Sequence, residues 1–90
     1  MQVIPIEPGS VVRSRAGRDQ GRIFLVVGMA DGMHALLSDG RTHMVGKPKK
    51  KKLKHLQATG RTVAEAARRI GQGESMQDHE IRNWLSNEEG

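Results

Sequence analysis

The apolar positions of this chain fall into two regimes. Up to about residue 59 they come in short bursts broken by glycines, and beyond it they recur at intervals of three and four. In the first burst Val11, Arg13 and Arg15 share one face of an extended chain, and Val12, Ser14 and Ala16 share the other. Residues 22–28 hold the longest apolar run, Ile23-Phe24-Leu25-Val26-Val27, rich in β-branched side chains and bounded by Gly21 and Gly28. Such a run predicts a strand buried on both faces. Two further strands are predicted over 33–38 and 41–45. Each follows an Asp-Gly pair, Asp31-Gly32 and Asp39-Gly40, the kind of dipeptide that closes a type I′ hairpin with positive φ at both central positions. A fifth is predicted over 54–59. Four to five short strands joined by tight turns predict a mainly β fold, a small closed or half-closed barrel, because an open sheet of that size leaves long edges exposed.

The regime changes at Gly60. Thr62-Val63-Ala64-Glu65 fits a capping box, in which the Thr hydroxyl and the Glu carboxylate each satisfy a free backbone N–H. Val63, Ala66, Ala67 and Ile70 then form one apolar stripe, with Gly71 as the stop. A second start at residues 75–78 precedes Ile81, Trp84 and Leu85, again on one face. One or two helices this short are marginal alone in water, so they must pack on the barrel, on each other or on a partner, or stay partly unfolded. The division expected is therefore a barrel over 1–60 and a short helical tail over 61–90.

Charge follows the same division. The chain carries 15 Lys+Arg and 10 Asp+Glu, net +5, but residues 1–61 hold twelve of those cations and only four of the acids. The remaining 29 residues are net −3, so the tail is acidic and the barrel half is +8. Such asymmetry points to a nucleic-acid or other anionic partner for the basic part. A solvated basic face with a solubilising tail explains the same composition.

The segment from Gly9 through Gly17, Gly21 and Arg22-Ile23-Phe24 resembles a KOW motif: an apolar opening at Val11-Val12, a basic loop, and a glycine, Gly21, leading into a hydrophobic strand. Gly21 suits positive φ or close backbone approach where the loop rejoins the strand. The looser resemblance runs over residues 9–59. It is to the SH3-like barrel of small bacterial KOW-domain RNA-binding proteins related to ribosomal protein L14e. The resemblance implies an SH3-like barrel (KOW type) that binds RNA or protein through its loops, and no catalysis. Carried over by position, Arg15, Arg18 and Arg22 correspond to the basic residues around the motif glycines. The segment from Arg61 onward matches no motif.

Charge alone adds Arg13, Arg41, Lys47, Lys49, Lys50, Lys51, Lys52 and Lys54 to the candidate RNA-binding residues. Six lysines lie in the eight residues 47–54, where mutual repulsion and Pro48 predict a loop or a frayed strand. Facing phosphates, the same density of charge becomes attraction with counterion release. Base stacking has little to work with: the aromatics are one Phe, inside the buried run, and one Trp, on a predicted helix. The expected recognition is of phosphate and shape, with Arg adding bidentate contacts.

Other chemistries lack their residues. There is no Cys, which excludes disulfides, thiolate metal sites and cysteine catalysis. His34, His43, His55 and His79 do not have the spacing of a metal-binding motif, no nucleophile elbow frames a Ser, and Gly46-Lys47 lacks the rest of a P-loop. The five-residue apolar run is far short of the roughly 20 needed to span a bilayer, and residues 1–8 have no basic, signal-like opening. No cofactor, small-molecule substrate or membrane partner is expected, and the expected location is the cytoplasm. The sequence thus predicts an RNA-binding module contacting ribosomal RNA or the translation machinery. The alternative is an adaptor docking on a ribosomal or transcription protein through the barrel and the Trp84 helix; an architectural DNA-binding protein is disfavoured by the KOW resemblance.

Overall fold

The computed structural model describes residues 5–89, with side chains described as far as Ser86. Residues 1–4, part of the stretch read above for targeting signals, and Gly90 lie outside the described residues. Five strands, Ser10–Ser14 (β1), Ile23–Asp31 (β2), His34–Ser38 (β3), Lys49–Lys52 (β4) and Leu56–Thr62 (β5), are followed by helices Ala64–Gly71 (α1) and Asp78–Glu89 (α2). A single 3-10 turn, Leu53–His55, joins β4 to β5. The strands form one antiparallel sheet in the order β4-β3-β2-β1-β5. The chain is mainly β, a small barrel-like domain ending in two short helices, as the sequence predicts.

Both faces of the central strands are buried, which accounts for the apolar run without alternation. On one face Val12, Phe24 and Val26 meet Ala35, Leu37 and Leu56 as the sheet curls over itself. Register shifts after Val26 and after Met29 let β2 bend there. On the other face Val11, Ile23 and Leu25 meet Val63, Ala66, Met76, Ile81 and Leu85, with Ile70 and Trp84 at the margin. The helical stripes are therefore filled by the sheet. Burying Val63, Met76, Ile81 and Leu85 contributes at most about 6–12 kcal/mol, at about 1.5–3 kcal/mol for each side chain. That is comparable to the whole stability of a small domain, so the helices are part of one fold.

Several elements differ from expectation. No strand forms over 41–45. Asp39 instead accepts the N–H groups of Arg41 and His43, both at 2.9 Å, while the N–H groups of Asp39 and Gly40 donate to the His43 carbonyl, so the segment closes as a side-chain-capped loop. The β2–β3 hairpin forms at Asp31, but its two-residue connection is Gly32-Met33 and Gly32 has no positive φ. The Asp31 carboxylate holds the turn by accepting from the Met33 N–H at 2.7 Å and meeting His34 at 2.9 Å. Of the two forms expected for the lysine run, a loop or a frayed strand, Lys49–Lys52 take the strand as β4, and Lys54 lies in the 3-10 turn that follows. Thr62 does not cap α1, because it still pairs with Ser10 as the last residue of β5; the residue before the helix is Val63, with no side-chain cap. Glu65 bonds instead to Arg69 at 2.9 Å, and the left-handed residue after the helix is Gly73, not Gly71.

Candidate nucleic-acid interface

The β1–β2 loop is shaped by backbone hydrogen bonds before any cation is placed. Gly21 donates to the Ser14 carbonyl at 2.8 Å and Ser14 donates to the Arg22 carbonyl at 2.9 Å, closing the loop at its neck. Gly17 and Gly21 supply φ of 79° and 87°. A side chain on Gly21 would meet nothing within 4 Å, so its requirement is the left-handed backbone and not a close approach.

Inside the loop lies a buried acid. The Asp19 side chain is only 7 % exposed and ion-pairs with Lys49 at 3.2 Å and Arg22 at 3.8 Å, with His43 Nε2 3.6 Å away. Burial alone would raise its carboxyl, but the hydrogen bond and charge of Lys49, with the charges of His43 and Lys51, hold it below the ordinary carboxylate value. Asp39 plays the same part in the next loop, taking Arg22 Nη2 at 3.2 Å while Thr42 accepts from the same nitrogen. Two loops far apart in sequence are thus fastened to each other and to β4 by two carboxylates.

This arrangement divides the eleven candidate residues. Arg22 and Lys49 hold the acids. Lys51 is buried, its amine donating to the Ala16 carbonyl at 2.8 Å, and Arg13 donates to the Gly21 carbonyl at 2.7 Å. Arg15, Arg18, Arg41, Lys47, Lys50, Lys52 and Lys54 are exposed and engage no side-chain partner among the described residues. The pleat of β4 makes the distinction for its four lysines: Lys49 and Lys51 turn toward the β1–β2 loop, and Lys50 and Lys52 turn to the opposite side. The eleven do not form one continuous patch.

Asp19 and Asp39 were not legible as site residues. Arg22 lies three residues from Asp19, but the shorter ion pairs, Asp39 with Arg22 and Asp19 with Lys49, span 17 and 30 residues and only the fold brings them near. The aromatic side chains stay off this surface. Phe24 is fully buried with His43 5.8 Å from its ring, and Trp84 is half-buried with the Arg69 guanidinium 6.0 Å away. Among the described residues no group of three or more His, Cys, Asp or Glu is placed to hold a metal ion, and no helix is long and apolar enough to cross a membrane. No protein-family model matches the chain, and no match is found among curated proteins.

Proposed function

We propose that this chain is an RNA-binding module of the KOW type, acting in the cytoplasm on ribosomal RNA or the translation machinery, and that it recognises phosphate and shape. The observation that carries the reading is the pair of carboxylates, Asp19 and Asp39, that gather the two basic loops and the all-lysine strand β4 into one framework. Asp19 and Asp39 are balanced within that framework, and Arg15, Arg18, Arg41, Lys47, Lys50, Lys52 and Lys54 engage no side-chain partner among the described residues. An unpaired, exposed lysine or arginine is the group that gains most from a polyanion, through counterion release. The absence of an exposed aromatic platform among the described residues favours phosphate over base contacts. The adaptor reading has less support. Of the stripe it needs on α2, Ile81 and Leu85 are already buried against the chain's own sheet, and Trp84 is half-buried at the margin of the same core.

The test is RNA binding over a salt series by the intact chain and by the Lys50→Glu/Lys52→Glu/Lys54→Glu variant. These three lysines are exposed, whereas reversing Lys49 or Lys51 would also break contacts that hold the fold. If about five phosphates are neutralised on single-stranded RNA, log K falls with log salt at a slope near −3.5, and the variant lowers both affinity and slope. Absence of binding at low salt, or a variant that binds like the parent, overturns the reading.

A further inference from the structure

A cleft of about 190 Å³ opens where the two loops meet the C-terminal helix, lined by Gly21, Arg22, Ile23, Asp39, Arg41, Arg82 and Leu85. Its volume is several times the ~30 Å³ that a water molecule takes in the liquid, so it admits a group the size of a phosphate. Three arginines and one aspartate line it, so the lining has a formal surplus of positive charge, with Asp19 outside the lining 3.8 Å from Arg22.

The hydrogen bonding is lopsided in the same direction. Asp39 Oδ1 already accepts from the Arg41 and His43 N–H groups, and Oδ2 accepts from Arg22. The Gly21 carbonyl already accepts from Arg13. The protein acceptors at the cleft are thus supplied with donors. The donors are in surplus: the Arg41 side chain has no partner among the described residues, and Arg82 commits Nη1 to the Gly40 carbonyl at 2.7 Å with the rest of its fork free of side-chain partners. A ligand that completes this cleft must bring acceptors and negative charge.

We propose that the Arg22–Arg41–Arg82 cleft is a binding site for a single phosphate group. Arg22 is oriented by Asp39 and Thr42, Arg82 is oriented by its bond to Gly40, and the exposed Arg41 side chain, with no partner among the described residues, is left to meet the anion. Planar guanidinium forks suit phosphate oxygens better than ammonium groups do. The site also gives the acidic helical segment a part in binding, because Arg82 comes from α2 while Arg22 and Arg41 come from the barrel loops. The phosphate can belong to a free nucleotide or to an RNA backbone; Arg22 and Arg41 are also candidates for the RNA interface proposed above, and in the second case the site rests on that reading.

The experiment is heteronuclear NMR on the full chain at constant ionic strength, with inorganic phosphate, adenosine 5′-monophosphate, or an RNA oligonucleotide lacking terminal phosphates replacing chloride. Saturable shifts are expected at the amides of Gly21, Ile23, Arg41 and Leu85. Arg41→Gln is expected to weaken phosphate about tenfold, with an intermediate loss for Arg41→Lys. Arg41 makes no side-chain contact to lose, so its variants keep the parent amide spectrum. Tighter binding of the mononucleotide identifies a free nucleotide as the source, and displacement of phosphate by the oligonucleotide identifies the backbone; both support the site. Unsaturable shifts, shifts confined to β4, or a response indifferent to Arg41→Gln overturn it. RNA binding without any phosphate response removes this site and spares the interface, and phosphate binding without RNA binding does the reverse.

Discussion

Asp19 sits in the middle of a basic loop and is almost wholly shielded from water, which makes the cations around it structural. Its carboxyl lies below the ordinary value of 3.8 in the folded chain, while the unfolded chain keeps the ordinary value. As pH falls, the unfolded chain therefore takes up this proton first. The stabilisation from the ionised carboxylate is complete above about pH 4 and fades as pH drops through the folded value. Asp19→Asn leaves Lys49 facing a neutral amide and is expected to cost about 1–3 kcal/mol near neutral pH. Urea titrations between about pH 6 and about pH 2.5 should show parent and variant converging at the acid end. Parallel curves across that range would mean that Asp19 is protonated, or unpaired, in solution. Asp31 and Glu80 are also held low, by His34 and by Arg69 respectively, so the variant should lose part of the acid dependence and not all of it.

Elements in this chain are joined by contacts that local sequence does not encode, and the Asp39 loop is the plainest case. Its Val45 N–H donates to Asp78 at the start of α2 at 2.7 Å, and Arg82 returns a bond to Gly40. Gly40 has φ of 71°, and a Cβ there would lie 2.5 Å from the Asp78 carbonyl oxygen. Gly40→Ala is therefore expected to push α2 off the loop and lower stability by about 2 kcal/mol or more, combining backbone strain with a clash against main chain. A thermal melt reads the loss, and an unchanged melting temperature would show that α2 yields freely. The sequence's strand pattern was legible where burial on both faces set it, as in residues 23–27, and where a glycine needed left-handed backbone, as at Gly21. It failed at 41–45, where hydrogen bonds run to a side chain and a distant helix. At the lysine run it left loop and frayed strand open, and the strand forms because repulsion read along the chain is offset across it by Asp19 and the Ala16 carbonyl. A lysine-rich edge strand has a second use that periodicity does not reveal, since it discourages pairing with another chain. The candidate interface was legible as charge and illegible as geometry, because which lysine is free depends on the pleat of β4.

At the scale of the molecule the sheet has two cores, and only one of them belongs to the barrel. The division at residue 61 that charge suggests is not a division in packing, because the acidic segment after it supplies five of the eight buried residues of the second core, Val63, Ala66, Met76, Ile81 and Leu85. Removing residues 62–90 would uncover Val11, Ile23 and Leu25 on the central strands and also take Thr62 from the β1–β5 pairing. Gly9 makes the same point from the barrel side: a Cβ on it would lie 2.7 Å from the Ala67 side chain, so α1 sits directly on the entry to β1. With about 6–12 kcal/mol of apolar burial removed from a domain whose net stability is of that order, residues 1–61 are expected not to fold alone. The measurable outcome is a collapsed amide spectrum and no cooperative thermal transition, against a dispersed spectrum and a single transition for the full chain. Loss of RNA binding on such truncation would then report unfolding, not a partner-binding role for the helices. A truncated chain that melts cooperatively would show that the barrel closes its core without them, and Arg82 would be the helices' one necessary contribution.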